Sequence, residues 1–173
     1  MLNEKIKTFQ VRGDIFGIMK HKDGAIERRV MHNVIVDIAS ELMAERMKED
    51  DGNASNGIMV LAMGTGDPGW DLQNPPVATS AQTQLVNELE RKTFNRSYYV
   101  DIGGSETPTR TNIVDYEVTY EETEAVGALV EMGLFGGAGS TGSGGGTMFN
   151  YHTFPVWNKP PTSSLTLVWR LTF

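Results

Sequence analysis

The clearest pattern in the chain is a strict alternation of apolar and polar side chains near its C-terminal end. Within 163–173, apolar side chains recur at every second position: Leu165, Leu167, Trp169 and Leu171. Successive side chains of a β-strand point to opposite faces of a sheet, so this spacing predicts a strand with one buried face. We expect Trp169 to be part of the core.

Strand patterns cover most of the chain after residue 93. Short runs rich in β-branched and aromatic residues, separated by turn formers, predict strands over 94–102, 111–122, 125–135 and 147–159. An earlier apolar run, Ile58 to Met63, ends at a glycine and predicts a buried strand. Successive strands with short turns indicate an antiparallel sandwich or barrel.

The N-terminal part of the chain combines a predicted hairpin with a predicted helix. Two extended patterns within 5–33 flank Asp23 and Gly24, a dipeptide that is typical of tight hairpin turns. Asn33 then precedes the segment 34–47, whose apolar residues recur at helical spacing. We therefore predict a helix that begins after an Asn33 N-cap.

A second, short helix is predicted over 80–92, where Leu85 and Leu89 are four residues apart. Together these elements indicate a mainly β protein with one or two short helices (α+β): an antiparallel β-sandwich or barrel with an N-terminal hairpin and helix. Its length of 173 residues fits a single domain over 1–173. Residues 1–47 would form the hairpin plus helix, and 57–173 the β-sandwich portion.

Composition and charge limit the classes of partner that the chain is expected to bind. The net charge is −7 and the sequence contains no cysteine. Nucleic-acid binding requires clustered lysine and arginine, so an acidic chain without a basic stripe is not expected to bind nucleic acid. No apolar run approaches the roughly 18 residues of a membrane helix, and the N-terminus lacks an apolar leader, so we expect no membrane partner.

A glycine-rich stretch at 136–146 contains a possible nucleotide-binding pattern. Gly137, Gly139 and Gly142 spell G-x-G-x-x-G, as do Gly64, Gly66 and Gly69 earlier in the chain. The dinucleotide fingerprint requires a helix to open at this pattern, and neither match is followed by a helix former. Both are therefore interpreted as loops, and no cofactor is expected.

Catalytic and metal-binding patterns are also missing from the sequence. The three histidines, His21, His32 and His152, lie in different predicted elements without metal-ligand spacing. No serine lies in a nucleophile-elbow pattern. The sequence predicts a protein that is not an enzyme and holds no metal.

The order of short motifs along the chain resembles that of small structural proteins of tailed bacteriophages. In such proteins a helix introduced by an Asn-Val step, matched here by Asn33 and Val34, comes before three further motifs. The first is the "GTG" that ends the strand 58–63, and the second is the later step "E-x-G-L-F", which begins at Glu131. Between them lies "T-x-L-x-x-E-x-x-R", matched by Thr83, Leu85, Glu88 and Arg91. The resemblance implies a non-enzymatic virion component of the tail, baseplate or fibre-attachment region, assembled in the host cytoplasm. Its partners would be other virion proteins and copies of itself.

Two alternatives stay open at this point. The first is a head decoration (cement) protein on the capsid. The second is a glycan-binding module that uses aromatic side chains as stacking faces, for which Trp70, in a loop rich in proline and glycine, is the best exposed candidate.

Two loops are the candidate protein-contact sites: the one that carries Trp70 and the glycine-rich one that carries Gly137, Gly139 and Gly142. A run with so many glycines is flexible in isolation. We therefore expect a neighbouring chain to hold the glycine-rich loop in place.

Overall fold

The chain forms eleven β-strands in the parts that the computed structural model describes, which are residues 12–36, 38–39, 57–109 and 111–172. In chain order the strands are β1 (Arg12–His21), β2 (Ile26–His32), β3 (Val34–Ile35), β4 (Ile58–Gly64), β5 (Glu88–Thr93), β6 (Arg96–Val100), β7 (Glu106–Thr107), β8 (Ile113–Tyr120), β9 (Gly127–Gly136), β10 (Thr147–Lys159) and β11 (Ser163–Thr172).

The strands build two antiparallel sheets that pack together as a sandwich rather than a closed barrel. The six-stranded sheet has the order β2-β1-β11-β8-β6-β7, and the five-stranded sheet has the order β3-β10-β9-β4-β5. The predicted hairpin is present as β1 and β2, closed by a hydrogen bond from His21 N to Ala25 O of 3.0 Å. Because β1 also pairs with β11 along its whole length, the hairpin is an integral part of the six-stranded sheet.

The core lies between the two sheets. Strand β11 alternates between buried and half-buried residues, as its sequence predicts, and Trp169 is fully buried. Across the core, Leu61 and Leu134 are paired neighbours on β4 and β9 and are both fully buried. The hydroxyl of Tyr120 on β8 donates to Leu61 O at 2.7 Å, which ties the two sheets together.

Strand β9 is buried on both of its faces, because the segment 65–87 lies over the side of the five-stranded sheet that faces away from the core. We call this segment the loop layer. It is bonded to β10 at two points: Thr153 Oγ1 donates to Pro76 O at 2.7 Å, and Val156 N donates to Leu72 O at 2.7 Å. The result is a third layer that has no regular secondary structure.

Strands occupy positions where the sequence predicts two helices. The short helix over 80–92 is wrong: 80–87 form turns and loop, and Glu88–Thr93 form β5. The predicted start of the N-terminal helix is also wrong, because Val34–Ile35 form β3 and pair with β10. In both places strand pairing outweighs a helical propensity that differs by less than about 1 kcal/mol per residue. The rest of that helix, at 37 and 40–47, lies outside the described residues.

Candidate protein-contact site

The loop layer is fixed to the sheet by one buried carboxylate, that of Glu131 on β9. Glu131 is fully buried, and its Oε1 accepts hydrogen bonds from Asn87 N at 2.8 Å and Gly66 N at 3.2 Å. Its Oε2 accepts from Val86 N at 2.9 Å and from the hydroxyl of Tyr151 at 2.6 Å. A single side chain thus joins both ends of the loop layer to β9 and β10.

The "GTG" turn is shaped to fit this carboxylate. A Cβ atom on Gly64 would lie 2.5 Å from Glu131 Oε1, so a side chain there would displace the carboxylate. Gly66 has a φ of +65° and carries the Trp70 ring, since a Cβ atom on Gly66 would lie 2.4 Å from Trp70 Cε3. Only glycine combines that backbone conformation with so close an approach.

Arg91 on β5 holds the glycine-rich loop in the same region. Its Nη1 donates to Ser140 O at 2.6 Å and to Gly145 O at 2.8 Å. Its Nε and Nη2 donate to the Glu88 carboxylate at 2.6 and 2.5 Å, and its guanidinium lies 4.6 Å from the centre of the Phe135 ring. Only 5% of the Arg91 side chain is exposed, so these bonds hold the glycine-rich loop from a buried position.

Glu88 reaches Arg91 because of a β-bulge. Gly64 is opposite Glu88, whereas the neighbouring Met63 is opposite Glu90, so Leu89 is an extra residue in β5. The extra residue puts Glu88 and Arg91 on the same face of the strand, although they are three positions apart. The ion pair therefore does not require the predicted helix.

Further contacts hold the tip of the glycine-rich loop. Gln84 Nε2 donates to Gly144 O at 3.3 Å. Burial alone would raise the pKa of Glu88, but the bonds from Arg91, Gly144 N and the Ser143 side chain lower it. The loop is thus held by its own chain, which removes the reason for expecting a neighbouring chain to hold it.

The candidate contact residues share the outer side of the five-stranded sheet. Trp70 is half-buried, Gly137 is buried, and Gly139 and Gly142 are exposed. Trp70 and Gln82 line one shallow depression of about 180 Å³, and Gln82 is bonded to Gln84, which reaches the glycine-rich loop. The two loops are therefore one continuous surface, although they are more than 60 residues apart in sequence.

Exposed apolar side chains belong to the same surface. Val77 is 85% exposed and Val86 is 46% exposed. Both line the depression beside Trp70, and they form an uneven apolar patch that is rimmed by Gln82, Thr79 and Thr153. Such a patch, presented on fixed loops, is typical of surfaces that contact another protein.

The aromatic side chains considered for glycan stacking are buried or lie against other residues. Trp157 and Trp169 are buried in the core, Trp70 lies against Gly66, and the guanidinium of Arg96 lies 4.3 Å from the ring centre of Tyr98. These rings do not form a flat, open platform.

Each of the three histidines has its own surroundings. His21 contacts Ser163 and Glu27, and His32 contacts Asp14 at 2.5 Å. Burial, with a smaller effect of nearby His32, lowers the pKa of His152 to about 4. Within the described ranges no group of three or more histidine, aspartate or glutamate side chains is placed to hold a metal ion.

Sequence reasoning missed the role of Glu131 and Tyr151. A signal was present, because Glu131 interrupts the otherwise apolar run Ala128 to Phe135. A lone carboxylate in a buried strand needs several donors, and here three backbone N–H groups and one hydroxyl supply them.

Comparisons with known proteins leave the family open. No protein-family model matches this chain, and a comparison with curated proteins finds no significant match. Among the described residues, no helix has the length and apolar character needed to cross a membrane.

Proposed function

We propose that this chain is a non-enzymatic structural protein of a tailed bacteriophage that acts by packing against other proteins in the tail, baseplate or fibre-attachment region. The resemblance of its three short motifs to such proteins motivates the proposal. The site geometry supplies the physical reason why those motifs occur together.

The observation that carries the proposal is the convergence of the three motifs at Glu131 and Arg91. Glu131 begins the "E-x-G-L-F" step. Its carboxylate accepts hydrogen bonds from Gly66 N of the "GTG" turn and from Val86 N and Asn87 N, which lie in the motif from Thr83 to Arg91. Residues far apart in sequence are thus used to fix two loops in place. Their polar atoms bond to the protein itself, which suits a part that presents a rigid surface rather than one that transforms a substrate.

The surface that these loops present also suits packing. Val77 and Val86 are exposed beside a depression, and the acidic chain has no basic stripe for a phosphate backbone. A rigid, partly apolar surface loses little conformational entropy when a partner covers it.

Quantitative mass spectrometry of purified particles tests the proposal. We expect the chain in intact virions, in a small copy number set by the rotational symmetry of the tail. A copy number in the hundreds would replace the tail location with head decoration. Absence of the chain from purified particles would refute both.

A second experiment tests the surface. Val77→Glu places a charge in the centre of the apolar patch. Ile102→Glu is the matched control, because Ile102 is even more exposed than Val77 but lies in the loop that joins β6 and β7. We expect Val77→Glu, and not Ile102→Glu, to prevent incorporation into particles while the fold is retained. Equal incorporation of both variants would remove this surface from the proposal.

A glycan array tests the other alternative. Binding of the unmodified chain to the array would favour a glycan-binding module.

A further inference from the structure

Among the described residues, no strand pairs with the outer edge of β2, and this edge carries apolar side chains. Strand β2 is the last strand of the six-stranded sheet and is seven residues long. Val30 is 66% exposed and Ile26 is 47% exposed. Natural proteins usually limit pairing at such an edge with charges, proline or a bulge. Strand β2 carries Arg28 there, but it contains no proline and its register with β1 shows no bulge.

The backbone groups that face this edge can be identified. His21 N donates to Ala25 O, so these two residues form a hydrogen-bonded pair of the hairpin. Bonding to the neighbouring strand alternates along an antiparallel pair, and therefore 27, 29 and 31 point their N–H and C=O groups towards β1. Four residues point the other way: Ile26, Arg28, Val30 and His32. None of the hydrogen bonds found among the described residues uses those outward groups.

The edge is also rigid. Arg29, on the inner face of β2, donates to Pro155 O at 2.7 Å and to Val156 O at 3.1 Å. Its guanidinium lies 4.7 Å from the centre of the Trp157 ring, and Trp157 Nε1 donates to Glu27 at 2.8 Å. These contacts fasten β2 to β10, so the edge is held in an extended form suitable for pairing.

An apolar row ends at this edge. Val30 is directly opposite Phe16 on β1, and Phe16 is directly opposite Val168 on β11. Phe16 is 36% exposed and Val168 is half-buried. The row crosses three strands on the outer face of the sheet, and its most exposed member is the one at the open edge.

We propose that a second copy of this chain pairs with β2 in antiparallel fashion, about a two-fold axis at Val30. This arrangement places Val30 beside Val30 of the second copy and doubles the length of the apolar row. It also places Arg28 of each copy opposite the other copy's His32, which contacts the carboxylate of Asp14 at 2.5 Å. Each guanidinium thus gains a nearby carboxylate, and the two charge patterns are complementary.

Other two-fold registers fit less well. An axis at Arg28 places two guanidinium groups directly opposite each other, which is unfavourable. An axis at Arg29 places Arg28 opposite Val30 and separates the two apolar rows. The closed, isologous pairing about Val30 forms a dimer and not an open fibre. It depends only on the β2 edge, so it can hold or fail independently of the proposed function and of the surface at the loop layer.

Sedimentation velocity of the purified full chain over a dilution series tests the pairing. We expect a reversible dimer. Val30→Lys places two ammonium groups together at the axis and should weaken dimerisation by about 100-fold or more. Ile26→Lys is the matched control, since Ile26 is exposed on the same edge but lies outside the paired stretch, and it should leave the dimer intact. Both side chains are exposed, so circular dichroism should show an unchanged fold.

A crosslink tests the register. The chain contains no cysteine, so Val30→Cys introduces a single thiol. Hydrogen-bonded antiparallel neighbours have Cα atoms about 5.5 Å apart, which is within the range that a disulfide spans. We expect Val30→Cys to form a disulfide dimer under mild oxidation much faster than Arg28→Cys. A monomer at all concentrations, or a dimer unaffected by Val30→Lys, would refute the pairing. Faster crosslinking of Arg28→Cys would refute the proposed axis.

Discussion

Removal of the Glu131 carboxylate is the sharpest test of how the loop layer is held. Glu131→Ala leaves four donors without their acceptor: the Tyr151 hydroxyl, Gly66 N, Val86 N and Asn87 N. Because these donors belong to both ends of the loop layer and to β10, the substitution should release the layer from the sheet. The two sheets themselves should remain paired.

The expected magnitude follows from the burial of the donors. The bonds from Tyr151 and Gly66 are buried, whereas those from Val86 and Asn87 are partly buried and can be replaced by water. A buried donor without an acceptor costs about 1–3 kcal/mol, so two of them cost about 2–6 kcal/mol. We expect Glu131→Ala to lower the free energy of unfolding by about 4 kcal/mol, out of a total of about 5–15 kcal/mol for a domain.

Glu131→Gln provides a milder version of the same test. The amide retains one acceptor oxygen, and the Tyr151 hydroxyl can rotate to accept a bond from the new NH₂ group. One backbone donor then loses its partner, so we expect a loss of about 1–2 kcal/mol. Glu90→Ala is the control, because Glu90 is exposed on β5 and its removal should change the free energy by less than about 0.5 kcal/mol.

Urea unfolding followed by circular dichroism measures these differences, and amide hydrogen exchange locates them. Exchange at Gly66, Val86 and Asn87 should become faster in Glu131→Gln, while exchange in β8 and β11 should change only as much as global stability does. A loss below about 1 kcal/mol for Glu131→Ala, with unchanged exchange at these three amides, would refute the assigned role of Glu131.

Three further predictions concern the glycine-rich loop and the pH dependence of stability. Arg91→Lys retains the charge but loses the planar fork that bonds the loop, so hydrogen exchange at amides of 137–146 should accelerate about tenfold. The pKa of His152 is lowered from 6.5 to about 4, so the folded state favours the neutral imidazole. Its contribution to the free energy of unfolding is therefore complete above pH 6.5 and is lost as the pH falls towards 4. This loss is about 3 kcal/mol and should disappear from denaturant titrations of His152→Gln. Burial raises the pKa of Tyr120 and Tyr151, so their contribution is complete below pH 10 and stability should fall above it by up to about 1.4 kcal/mol per pH unit for each group.

Each of these three predictions has a clear contrary result. Unchanged exchange of the loop in Arg91→Lys would mean that other contacts hold it. A pH profile between 4 and 6.5 that is identical in His152→Gln would exclude His152 as its cause. Ultraviolet titration that ionises Tyr120 and Tyr151 near pH 10 without unfolding would contradict the burial of their hydroxyl groups.

Much of the sandwich could be predicted from local patterns. The alternation at Leu165 to Leu171 predicted both the strand and the burial of Trp169, and Asp23-Gly24 predicted the hairpin turn. The lack of helix formers after Gly142 correctly predicted that no helix opens at the glycine-rich loop, since β10 follows it. These predictions succeeded because side-chain periodicity and turn chemistry depend on residues that are close in sequence.

The errors arose where a distant partner decides the conformation. The spacing of Leu85 and Leu89 suggested a helix, but hydrogen bonds from β4 extend Glu88–Thr93 into a strand. Val34 and Ile35 likewise pair with β10, which lies more than 100 residues further along the chain. Local propensity is weak beside a row of interstrand bonds, and the sequence does not show which strands will become neighbours.

By itself, the sequence determined the mainly β class of the fold, the turn at Asp23-Gly24 and the burial of the alternating apolar residues of β11. These follow from the period of apolar side chains and from the backbone preferences of glycine and aspartate. Only the tertiary structure decided how the loops are held. Glu131 and Arg91 each bond to residues that are more than 40 positions away, and such bonds depend on the order of the strands in the five-stranded sheet. Among the described strands, the same order leaves β2 at the edge of the six-stranded sheet, and so decides which backbone groups face the second copy that we propose.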